Sequence, residues 1–133
     1  VQSDESTVTL VSSQRSSVMS NLRNMANAVK ACFELAGAEV IQNDGYPAWK
    51  MNADSELQRI AIQEYKKLFG HDPKVLGIHA GLECGLFSEK YPGIDMISFG
   101  PTLRFVHTPD ERLLIPTVQM VWDHMLAILR EID

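Results

Sequence analysis

Three stretches of this chain repeat apolar residues at helical spacing, and each is bounded by residues that start or stop helices, which leaves little freedom in how the chain divides. Val18, Leu22, Met25, Ala26, Val29, Phe33 and Ala36 form the first stripe. It follows the polar run Ser12-Ser13-Gln14-Arg15-Ser16-Ser17, whose serines offer an N-cap, and ends before Gly37, which suits a C-terminal stop. In the second, Ser55 and Gln58 have capping-box spacing, Leu57, Ile60, Ala61, Tyr65 and Leu68 share one face, and Gly70 closes the run. The third begins near Pro116, a residue suited to the first helical position, and places Val118, Val121, Trp122, Met125, Leu129 and Ile132 on one stripe. A shorter helix is predicted from Leu82 to Lys90, before Tyr91-Pro92-Gly93 breaks it.

Between these helices lie short runs that read as strands: Thr7 to Val11, rich in β-branched residues, then Glu39-Val40-Ile41, Lys74 to Ile78, and Asp95 to Phe99. The order is βαβ, then αβαβ, then α. Such alternation predicts layered α/β structure with helices against sheets. The turn chemistry of Asn43-Asp44-Gly45-Tyr46-Pro47 and the change of composition from Asn43 to Asn52 mark the expected boundary between two parts. A chain of 133 residues, 45% hydrophobic, has the size and content of one ordinary domain with a core of its own. It starts at Val1 without Met and goes quickly into strand-like sequence, so a piece of something longer is expected.

A net charge of −5 without any Lys/Arg cluster excludes the electrostatic footprint of a nucleic-acid or anionic-membrane binder, and the expected partner is a small molecule or a protein. No apolar run approaches the roughly 20 residues of a membrane span, and no signal-peptide pattern is visible. Cys32 and Cys84 stand far apart with no CxxC, as reduced cytoplasmic thiols do.

Few residues invite chemistry. His107, between the apolar run Ile97-Ser98-Phe99 and three consecutive charged residues, reads either as a loop histidine whose ring caps a carbonyl or packs on Pro109, or as a metal ligand or acid/base group presented at a strand end. A single histidine makes no site by itself. Gly81 and Glu83, in His79-Ala80-Gly81-Leu82-Glu83-Cys84-Gly85, lie where a strand turns into a helix. The glycines there either permit a tight turn, with Glu83 complementing the helix N-terminus, or expose N–H groups able to hold a carboxylate or oxyanion. Cys84 reads as a small buried hydrophobe rather than a nucleophile. Arg15, just beyond a strand among hydroxyl side chains and without an acidic neighbour, is either a solvated turn residue or a fork presented by a strand end to a carboxylate. His71 and His124 read as structural.

Three stretches, SSQRSS from Ser12, HAGLECGLF from His79 and GPTLRFVHTPDERL from Gly100, stand in an order and spacing that resembles the C-terminal part of the bacterial aminoacyl-histidine dipeptidases, the carnosinase-like branch of the M20 zinc peptidases. The similarity runs over essentially all 133 residues. It implies a fragment of a two-domain zinc peptidase. Residues 1–46 would be the end of an α+β lid used in closure and in homodimerisation, and residues 47–133 the last α/β segment of the catalytic domain. It implies that His107 is the last ligand of a two-zinc site, with other divalent metals as alternatives, and that Arg15, Gly81 and Glu83 belong to the substrate grip. The family's other ligands, bridging aspartate and general-base glutamate have no counterpart here. The resemblance therefore implies no catalytic residue within the chain and no activity of the chain alone. Its partners would be a dipeptide, Xaa-His or unspecific, and the N-terminal remainder of the same protein, in the cytoplasm. The alternatives are an M20 aminoacylase or deacetylase, and a non-catalytic α/β module for a small acidic ligand or a protein.

Overall fold

The computed structural model describes residues 1–43, 45–77 and 83–132. Its elements in order are β1 (Gln2–Ser3), β2 (Val8–Thr9), α1 (Met19–Leu35), α2 (Glu56–Phe69), α3 (Glu83–Lys90), β3 (Leu103–Arg104), β4 (Arg112–Leu113) and α4 (Pro116–Glu131). The chain is thus of mixed α/β class, with helices and two small antiparallel sheets, β1–β2 and β3–β4. It divides into two compact units, Val1–Met51 with Gly77–Pro92, and Asn52–Leu76 with Gly93–Asp133. Among the described residues no helix is long and apolar enough to cross a membrane.

In the first unit Asp4 makes the β1–β2 turn: its Oδ1 accepts the N–H groups of Ser6 and Thr7 at 2.9 and 2.8 Å, and these bonds hold its carboxyl below the usual carboxylate range. Helix α1 begins after Ser16 Oγ has accepted the Val18 N–H at 3.1 Å. It ends as Gly37 predicts. Gly37 takes φ 84°, its N–H donates to the Glu34 carbonyl and that of Ala38 to the Phe33 carbonyl, so two otherwise orphaned carbonyls are satisfied by a Schellman turn. In the same unit Gly85 is buried within α3, where a Cβ would stand 2.5 Å from the carbonyl oxygen of Pro47. The reason for a glycine at 85 is therefore close approach of backbone and not a tight turn. Burial raises the Cys84 thiol pKa above its ordinary value, as fits an inert side chain; Cys32 is exposed, and both are free.

The second unit packs helix on helix. In α2, Ser55 Oγ accepts the Gln58 N–H at 2.9 Å, and Gly70 closes the helix in the left-handed conformation. A second acceptor comes from 38 positions away in sequence: Asp95 Oδ2 takes the Leu57 N–H at 2.9 Å, a bond that holds the Asp95 carboxyl below its usual range. Helix α4 faces α2 through His124, Ala127 and Ile128, against Ala61 and Glu64. The small Ala61 and Ala127 permit close approach, and His124 uses it: its Nε2–H donates to the Ala61 carbonyl at 2.8 Å while Tyr65 and Phe99 pack around the ring. His124 is structural.

Two expectations need correcting. The α4 stripe expected inside is largely outside, since Val118, Trp122, Leu129 and Ile132 are exposed; the contact with α2 selects the face one step round the helix. Of the strand from Thr7 to Val11 only Val8–Thr9 pairs, and residues 39–41, 74–77 and 95–99 form no strand among the described residues, Ile78 lying outside them. A β-rich run becomes a strand only where a neighbour takes its N–H and C=O groups, and here none does.

Candidate functional site

His107 sits in the loop of a hairpin that the sequence hides. Strands β3 and β4 pair Leu103 with Leu113 and Arg104 with Arg112. The base of the hairpin is tied to α4: the Leu114 N–H donates to the Thr102 carbonyl, the Thr102 N–H to Thr117 Oγ1, and the Thr117 hydroxyl to the Leu114 carbonyl, at 2.9, 2.9 and 2.6 Å. Pro116 opens α4 there, at a position where a missing N–H costs nothing.

The loop, residues 105–111, closes on itself. Thr108 donates to the Phe105 carbonyl twice, through its N–H at 3.2 Å and its hydroxyl at 2.7 Å, and the Glu111 N–H donates to the Thr108 carbonyl at 3.1 Å. This tightness forces Phe105 and His107 to φ 55° and 65°, left-handed values that a side chain rarely takes and that cost about 1–3 kcal/mol each. Each is held by a residue of Asp110-Glu111-Arg112. The Glu111 carboxylate accepts the His107 N–H at 2.8 Å, and the Arg112 guanidinium lies 5.6 Å from the centre of the Phe105 ring. The imidazole is exposed, and its nitrogens have no hydrogen-bond partner among the described residues. Of the alternatives open for His107, a ring capping a carbonyl is not what the loop contains.

Arg15 is exposed, between β2 and α1, and joins no ion pair among the described residues. Because β2 stops at Thr9, the serine-rich turn and not a strand end carries it. Glu83 is exposed in the first turn of α3, and Gly81 lies outside the described residues. Arg15 and Glu83 belong to the first compact unit, His107 to the second. Among the described residues no three His, Cys, Asp or Glu side chains gather as a metal ion requires. An exposed imidazole on a rigid loop fits a metal as one ligand of a set completed by other residues. Sequence reasoning did not find the specific bond from His107 to Glu111, whose only signal is the spacing of four residues within the loop.

No protein-family model matches the chain. It is 41% identical over 99 residues to the cytosol non-specific dipeptidase of Escherichia coli (strain K12), covering 74% of this chain and 20% of that protein. The crystal structure of aminoacylhistidine dipeptidase from Vibrio alginolyticus is 47% identical, superposes with a TM-score of 0.72, and is matched over 89% of this chain and 24% of its own. The chain is homologous to a segment of these dipeptidases. It spans a fifth to a quarter of the length of the relatives it matches. At this identity the mixed α/β fold of the chain is that of a fragment of the aminoacylhistidine dipeptidase fold.

Proposed function

We propose that this chain is the C-terminal part of a metal-dependent cytoplasmic dipeptidase of the M20 type, to which it supplies the last metal ligand, His107, and part of the grip on the substrate. The reading is supported above all by the 47% identity to an aminoacylhistidine dipeptidase, together with this chain's stretch Gly100–Leu113, which holds an exposed histidine in a self-bonded loop. In this reading residues 1–46 close the lid and contribute to a homodimer, while residues 47–133 complete the catalytic domain. That division concerns the domains of the longer enzyme and differs from the compact units described above.

His107, with ligands from the rest of the protein, would hold one ion of a pair of zinc or other divalent ions, and that pair would supply Lewis-acid polarisation of the scissile carbonyl and a bound water with its pKa lowered enough to give a hydroxide nucleophile near neutral pH. His107 would contribute a neutral nitrogen lone pair from its self-bonded loop. Arg15 presents two parallel N–H donors to the terminal carboxylate of a dipeptide, a geometry that a planar guanidinium matches and an ammonium does not. Gly81 shares with Arg15 the grip on the substrate's terminal carboxylate and backbone, and Glu83, the first residue of α3, belongs to the same motif. The substrate is a dipeptide, Xaa-His or unspecific, the range covered by the names of the two relatives.

The test is His107→Ala in the longer enzyme, read as bound zinc and as turnover of dipeptides. Loss of most activity together with a lowered metal content and unchanged circular dichroism is expected. Unchanged rate and zinc content would return His107 to the role of an ordinary loop residue. The 133-residue chain alone, freed of contaminating peptidase, is expected to show no zinc-dependent hydrolysis.

A further inference from the structure

We infer that Glu111 is a positioning residue for His107, its carboxylate fixing the backbone from which the imidazole is presented; the inference rests on the reading of His107 as a metal ligand. The His107 N–H donates to Glu111 Oε2 at 2.8 Å, and this is the one hydrogen bond to that N–H among the described residues. The other bonds of the loop act elsewhere: Thr108 holds the Phe105 carbonyl, and Asp110 donates its N–H to Thr108 Oγ1 at 3.3 Å. Glu111 is itself anchored on both sides. Its own N–H is bonded to the Thr108 carbonyl at 3.1 Å, and its neighbour Arg112 is paired with Arg104 in the sheet. The carboxylate thus reaches His107 from a fixed backbone, and as an ionised acceptor it makes the stronger kind of hydrogen bond.

The need for such a clamp follows from φ at His107. At 65° the residue lies in a region that a side chain leaves readily for the extended one near −120°, and that change swings Cβ and the imidazole around the N–Cα bond. Metal–nitrogen bonds tolerate deviations of only about 0.2 Å. A histidine free to choose its φ would be a poor ligand even if every other ligand were in place. The strained conformation at His107 and the carboxylate that holds it belong together, as strain in a loop persists only where its surroundings over-determine it.

The experiment compares Glu111→Ala, Glu111→Gln and His107→Ala in the longer enzyme, measuring the zinc dissociation constant by competition with a chromogenic chelator, and kcat/KM at saturating zinc. Glu111→Ala should weaken zinc binding about 10-fold or more, the size of effect that supports behind metal ligands usually have. Glu111→Gln keeps a carbonyl oxygen for the same N–H and should lose clearly less than Glu111→Ala, staying within about fivefold of the parent, the factor that exchange of a charged for a neutral acceptor costs. A Gln variant as damaged as the Ala variant would overturn the inference, because the charge and not the bond would then matter. So would an Ala variant of unchanged zinc affinity when His107→Ala strips the metal. Retention of zinc by His107→Ala would remove the metal-ligand reading itself, and the inference with it.

Discussion

Replacing Asp95 by Asn is expected to loosen the start of α2, and the structure gives the size of the effect. The first turn of a helix has four N–H groups without helical partners; here Ser55 serves Gln58 and Asp95 serves Leu57, each at 2.9 Å. A hydrogen bond to a charged acceptor contributes about 1.5–3 kcal/mol and a neutral one about 1, so keeping an amide oxygen at 95 forfeits about 1 kcal/mol. Loss of the negative charge from the helix N-terminus removes about 0.3–1 more. Against this, Asp95 Oδ1 is buried without a hydrogen-bond partner, and an amide there relieves part of that cost. The balance is a destabilisation of about 1 kcal/mol at neutral pH. The pH dependence carries the sharper test. Because the folded state holds the Asp95 carboxyl below its ordinary value, chiefly through the Leu57 N–H, its contribution is complete above the ordinary carboxylate range and is lost as pH falls through the depressed value. Urea unfolding followed by helical circular dichroism, for both proteins, should show a gap at pH 7 that narrows as pH drops below about 5. A gap of constant size from pH 7 to well below the depressed pKa would refute the argument.

Gly85→Ala adds a Cβ at 2.5 Å from the Pro47 carbonyl oxygen, where overpacking costs of about 1–3 kcal/mol outweigh the gain of about 1 kcal/mol from helix propensity; thermal melting should show a lower Tm, and an equal or higher one would mean that the chain around Pro47 yields freely. Arg15→Ala in the longer enzyme should lower kcat/KM on free dipeptides by about two powers of ten or more, roughly 3 kcal/mol, with zinc content unchanged and poor rescue by Arg15→Lys. C-terminally amidated dipeptides decide that case: the parent should handle them badly and the variant should lose little further, whereas an equal loss on both substrates would assign Arg15 to holding the lid.

Helix ends were legible in the sequence because the residues that make them act over four or five positions. Gly37 and Gly70 take the left-handed conformation that glycine adopts without cost, Ser55 caps α2, and Pro116 opens α4, each within reach of the groups it satisfies. The three stretches that resemble the dipeptidases are likewise a property of the sequence, and His107 stands out by its motif alone. What neighbours decide was not legible. The runs at 39–41, 74–77 and 95–99 have strand composition, yet composition cannot supply the second strand that takes their hydrogen bonds. The hairpin of β3 and β4 went unseen because its paired segments are two residues long and its loop turns on Phe105 and His107, where no glycine announces a positive φ. Asp95 serves a helix 38 positions away, Gly85 answers to the carbonyl of Pro47, and α4 buries His124, Ala127 and Ile128 because α2 offers small residues and a carbonyl on that side. Local sequence sets where a helix starts and stops, since its hydrogen bonds close within one turn; which face it buries and which distant carboxylate caps it depend on what the rest of the chain brings into contact.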